Sequence, residues 1–248
     1  MKKNITLRGG LVFWQLFILI VIICLPGVYF MLQTEKKLME NEDITYNQRL
    51  FAHLILVGIF GAVGAFTVPK ISILPTDIEF YNVLKYGFIL GVTCSVGNIL
   101  LYYFYLTKNI SYHDYLAIEE HYSKMGILSR VFYGGFVEEV MFRWGIMSLV
   151  LWLSQLILKQ INFHSIFFAI GISSILFALV HLPSIKMVIE EPKPSVYVYT
   201  ILGNVWVGIF TGWAFLEAGI FSAIIVHVLF HLLWYPIQKI SANRRLSC

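Results

Sequence analysis

The chain has 248 residues, 58% of them hydrophobic and only 13% charged, with a mean hydropathy of +0.77. Soluble domains carry about a quarter charged residues, so that class is excluded and an all-α, polytopic membrane protein is expected. The net charge of +4 is accounted for by Lys and Arg flanking the apolar runs and calls for no nucleic-acid partner.

Seven apolar runs are long enough to cross a bilayer. The first, residues 9–32, follows Lys2, Lys3 and Arg8. Its core is too long for a signal peptide and lacks a small-x-small cleavage site, so it is read as a retained span. The second is 51–68. The third, 86–106, holds Gly87-xxx-Gly91. The fourth is 131–158. The fifth, 164–182, is stopped by Pro183, and the sixth, 196–216, contains Gly208-xxx-Gly212. The seventh is 219–237. The glycine pairs let helices approach closely and predict packing rather than dimers. The longest linkers, 35–49 and 111–124, mix acidic and basic residues and read as amphipathic or disordered surface segments. No internal repeat divides the chain, so residues 1–248 read as one membrane domain.

Orientation is less direct. With seven spans, the tally of Lys and Arg favours a cytoplasmic location for the side opposite the N-terminus, whereas the basic N-terminus argues for its own side. An eighth, irregular segment would resolve the conflict, and a break is expected between Gly126 and Gly134-Gly135. The cysteines, Cys24, Cys94 and Cys248, show neither metal-ligand nor disulfide spacing.

The fourth run contains Glu138-Glu139-Val140-Met141-Phe142-Arg143. Each charge at a helix centre costs about 2.5–3.5 kcal/mol on insertion scales, so three together predict a functional site. Residues four apart share a helical face. Arg143 therefore pairs with Glu139, while Glu138 points elsewhere and is left reactive. The alternative is an ion cluster that only fixes helix packing.

Four of the seven histidines read as ordinary. His113 and His121 fall in a polar linker, and His53 and His164 at span ends. His181 closes the fifth run before Pro183, and His227 and His231 share a face of the seventh at i and i+4. Imidazoles in apolar spans need a hydrogen-bond partner or an ion. Glu138 lies roughly 10 Å below one surface, two helical turns from the start of its span. His181, His227 and His231 can reach that depth if spans four, five and seven are neighbours.

Glu138-Glu139-xxx-Arg143, Phe177-xxx-His181 and the block from Gly208 to His231 resemble the CAAX-processing and bacteriocin-processing (CPBP, or Abi) intramembrane proteases, which include type II CAAX prenyl endopeptidases. The likeness covers residues 131–234, read as the catalytic core. It implies a peptidase whose site opens towards the cytoplasm of the cell that holds it in its membrane. It also implies that Glu138 and His181 activate water and that the last motif, His227, binds the oxyanion. The family's usual Asn four residues later is His231 here, which leaves the role of His231 open.

The spacing of His227 and His231 is also that of paired zinc ligands on a helix. With His181 or Glu138 they could hold one divalent ion, zinc for example. The alternatives are a metal-free site, with Glu138 as general base, and a metal-dependent one. The metal-free site is the reading adopted here. The expected partners are membrane lipid and a peptide or protein substrate, prenylated or otherwise membrane-associated. A proton- or ion-coupled transporter and a non-catalytic immunity-type member are the rival readings.

Overall fold

The structure, a computed structural model, describes residues 2–38, 43–75 and 77–246; Cys248 lies outside the described residues. It is an all-α bundle. Helix α1 is Lys2–Leu38, α2 Tyr46–Thr67, α3 Phe80–Asn109 and α4 Tyr112–Leu158. They are followed by α5 Phe163–Leu179, a short α6 Leu182–Val188, α7 Pro194–Ala218 and α8 Ile220–Leu246. Among the described residues seven helical stretches are long and apolar enough to span a membrane, with α5 and α6 forming one of them. The protein is a multi-pass membrane protein.

The bundle is apolar on its outside, as lipid requires. On α2, Phe51, Ile55, Ile59 and Phe66 are exposed, while His53, Val57, Gly61 and Gly64 face inward at helical spacing. Each glycine pair predicted to allow close approach does so. Cβ atoms at Gly87 and Gly91 would collide with Ile225 and Leu229 of α8, so α3 and α8 pack backbone to backbone. A Cβ at Gly208 would meet Ser174, and one at Gly212 would touch Ile170 and Met147, which seats α7 on α5.

Helix α4 is the centre of the bundle. Its stretch from 130 to 147 packs on α1 and α2 on one side and on α5 and α8 on the other. The helix breaks at Gly126, whose φ of 70° and ψ of 165° suit glycine because it has no Cβ. This lies within the segment where a break was expected. The portion before it corrects the reading of 111–124 as a surface linker. It is helical, opened by Ser111 accepting from the Asp114 amide, and it buries Asp114, Tyr115 and Glu119. Tyr115 Oη meets Tyr102 Oη at 2.5 Å, and Tyr102 donates to Glu119 at 3.3 Å, so polar groups satisfy one another across α3 and α4.

Beyond the break the turns widen. Arg130–Glu138 and Val140–Met147 are π-helical, with i→i+5 bonding. Such turns are rare and are found mostly as short bulges at functional sites. Here they include Glu138 and Arg143, with Glu139 between the two stretches.

Candidate active site

Glu139 and Arg143 are wholly buried. Arg143 Nε stands 3.3 Å from Glu139 Oε2, the i, i+4 pair expected from the sequence. The contact is Coulombic, since the Arg143 nitrogens are not aligned for hydrogen bonds. The guanidinium instead lies 4.9 Å from the Phe177 ring centroid. A third partner is not visible in the local sequence. His227 Nδ1 is 2.7 Å from Glu139 Oε1, across 88 residues of chain. A carboxylate can only accept, so Nδ1 carries the proton and Nε2 points away from Glu139.

His181 is held the same way. Its Nδ1 donates to the Phe177 carbonyl at 2.7 Å, which fixes the tautomer. Its Nε2 faces Glu138 Oε1 at 3.8 Å, and His227 Nε2 faces Glu138 Oε2 at 4.0 Å. Both separations exceed a hydrogen bond, so neither imidazole is bonded directly to Glu138. Glu138, with its side chain 18% exposed, is the accessible carboxylate, and Glu139 is the sequestered one.

Phe177 organises the rest. Its ring packs edge-on against His181 and His227, with centroids at 4.8 and 5.7 Å, and holds three charged or polar groups around one apolar plate. His231 stacks on His227 at 4.9 Å, with 25° between the rings. It sits against Gly134, where a Cβ would come 2.7 Å from His231 Nε2, and its Nδ1 is buried with no hydrogen-bond partner. The structure thus brings Glu138, His181 and His227 together and sets His231 behind His227.

All four line one cavity of about 420 Å³, formed by α3 to α8 with Met31 of α1. Among the further lining residues not singled out from sequence are His121, read as a plain surface histidine, Arg130 and Tyr199. Their signal was hidden because His121 falls in a polar stretch and Arg130 looks like a span flank. His53, by contrast, is built into the scaffold, with Nε2 at 3.1 Å from Glu35 and Nδ1 at 3.0 Å from the Tyr133 hydroxyl.

Residues 122–233 match the family described as type II CAAX prenyl endopeptidase Rce1-like. This segment is similar to the CAAX-protease family. Neither a curated protein nor a solved structure matches the chain. The matched segment contains every carboxylate and imidazole of the cluster just described, so the likeness to type II CAAX prenyl endopeptidases falls on the cluster itself.

The buried pair makes a direct prediction. Arg143→Ala strands Glu139, and Glu139→Gln strands Arg143. Removing one partner of a buried pair costs about 3–5 kcal/mol. Both variants are expected to unfold at markedly lower temperature in detergent, whereas the double variant Glu139→Gln/Arg143→Met recovers part of the loss. Single variants as stable as the parent would show that the pair does not hold the bundle.

Proposed function

We propose that the protein hydrolyses a peptide bond of a membrane-associated or lipidated substrate, with Glu138 as general base. The observation that carries this reading is the convergence of Glu138 with Nε2 of His181 and of His227, each imidazole fixed in its tautomer by a partner on its far side. A water between Glu138 and His181 donates one proton to the carboxylate and the other to His181 Nε2. Its oxygen lone pair is then left to attack the scissile carbonyl. Glu138 takes the proton as the C–O bond forms and passes it to the leaving nitrogen as the C–N bond breaks. The products are a carboxylate and an amine.

As the oxyanion donor His227 would act in its imidazolium form, with Nδ1–H on Glu139 and Nε2–H turned to the cavity beside Glu138. One well-placed oxyanion donor contributes about 2.7–4 kcal/mol.

The donor set also fits a divalent metal in kind. The two Nε2 lone pairs and the Glu138 carboxylate converge, with Glu139 and the Phe177 carbonyl as outer partners of the histidines. In spacing the set stands open, and among the described residues no group of three acidic, His or Cys side chains closes to ligand distances. If an ion bound there, His181, His227 and Glu138 would hold it and it would acidify water.

The test is direct. Purified protein in detergent should convert a prenylated peptide into two products whose summed mass exceeds the substrate by one water. A folded preparation that hydrolyses no prenylated or membrane-inserted peptide would remove the protease reading.

A further inference from the structure

A second histidine cluster stands outside the site and is joined to it by one side chain. Glu35 on α1, His53 on α2 and Tyr133 on α4 form a chain of hydrogen bonds. His53 Nε2 lies 3.1 Å from Glu35 Oε1, and its Nδ1 lies 3.0 Å from Tyr133 Oη. His53 is 8% exposed and Tyr133 9%, so water does not compete for these bonds. Arg49 Nη1 donates to the Glu35 main-chain carbonyl at 2.9 Å, which holds the end of α1 to α2. Glu35 and His53 precede residue 122 and so lie outside the matched segment.

Tyr133 is the link to the site, because it lines the cavity that holds Glu138. The next residue, Gly134, is the surface on which the imidazoles rest. A Cβ there would lie 2.7 Å from His231 Nε2 and 3.5 Å from His227 Nε2. On the other side, a Cβ at Gly27 would lie 2.5 Å from the Phe132 carbonyl oxygen, so α1 backs this turn of α4 directly. Close-packed interiors transmit small shifts, and a shift of Tyr133 is therefore felt at the wall behind His227 and His231.

The protons of the chain can be placed. An ionised carboxylate only accepts, so Nε2 of His53 keeps its proton whatever the charge of the ring. Nδ1 is the position that changes. In the neutral ring Nδ1 accepts, and the Tyr133 hydroxyl donates to it. In the imidazolium Nδ1–H donates to the phenol oxygen, and the hydroxyl proton is released from the pair. Neither partner is lost, but the bond reverses and becomes charge-assisted, which makes it about twice as strong as the neutral one. The other titratable groups acting on the Tyr133 hydroxyl are Cys24 on α1 and Glu138 on α4.

We propose that His53 is a positioning residue for hydrolysis: acting through Tyr133, it holds the α4 wall behind His227 and His231, and holds it more firmly when the ring is charged. This rests on the protease reading above, since the wall serves the hydrolysis at Glu138. Histidine is the side chain that changes charge about neutral pH, so the hold depends on pH. As pH rises and Nδ1 loses its proton, the reinforced bond is lost and the imidazoles of the site are less well placed. Misplacement of reacting groups lowers kcat.

The experiment measures kcat and KM for one prenylated peptide from about pH 5.5 to 8, the range in which histidines titrate. His53→Gln offers an amide that donates and accepts but never charges, and Tyr133→Phe keeps the ring and removes the bond. The kcat ratio of parent to His53→Gln should fall about 3- to 10-fold from the acid to the alkaline end, while the KM ratio stays flat. In a Tyr133→Phe background the His53→Gln change should give a flat kcat ratio. A smaller folded fraction scales a whole profile and leaves its slope unchanged. Nitrogen NMR of labelled histidine, with His53 assigned by its absence in His53→Gln, reads the ring without turnover. Nε2 should stay protonated throughout, and Nδ1 should gain its proton within the same range.

A kcat ratio that is constant or rises with pH makes His53 a structural residue and overturns the proposal. So does a ring whose charge does not change across the range, or one that exchanges its proton at Nε2. Either result with hydrolysis intact leaves the protease reading in place. An Nδ1 titration in a parent protein that hydrolyses no peptide would sink the protease reading, and with it the role in hydrolysis, while the proton switch would stand.

Discussion

Glu138→Gln is expected to lower peptide hydrolysis by about 10²- to 10⁴-fold, the range that a positioned general base contributes. The substitution keeps shape and hydrogen-bonding capacity and removes only the ability to take a proton. Glu138 is the one carboxylate of the cluster open to the cavity, and both histidine Nε2 atoms are directed at it. Stability should change little, because Glu139 still neutralises Arg143 and still accepts from His227. Initial rates on a prenylated peptide, with thermal unfolding on the same preparation, separate the two effects. Near-parental cleavage by Glu138→Gln would transfer the base to another residue, whereas equal losses of rate and of folded protein would make Glu138 structural.

His227→Ala is expected to have an effect of the same order, about 10²- to 10³-fold from the lost oxyanion donor. It also leaves Glu139 without its 2.7 Å partner, so some loss of stability accompanies the loss of rate. His231→Asn should behave differently. His231 stacks behind His227 and does not face Glu138. An amide there keeps a donor beside Gly134, and substantial activity should survive. Elemental analysis of the parent should give well under one transition-metal ion per chain. Zinc at one ion per chain, released by both His181→Ala and His227→Ala, would overturn the metal-free mechanism and make His181, His227 and Glu138 the ligand set.

These expectations rest on different kinds of information. The sequence alone determined the all-α membrane class, the seven spans and the Glu139–Arg143 pair, because hydropathy and the i, i+4 relation are local properties of one helix. It also put Glu138, His181 and His227 at a common depth, since counting residues from a span end measures distance along the bilayer normal. The tertiary structure decided what depth cannot show, namely which faces meet. The 2.7 Å link from His227 to Glu139 joins residues 88 apart and depends on α8 packing against α4 at Gly134 and Gly135. Residues 111–124 looked like a solvated linker because their polar groups, Tyr115 and Glu119 among them, are satisfied by partners on another helix that hydropathy cannot see. Arg130 looked like one more charge flanking a membrane span. Only the fold buries it in the same cavity as Glu138.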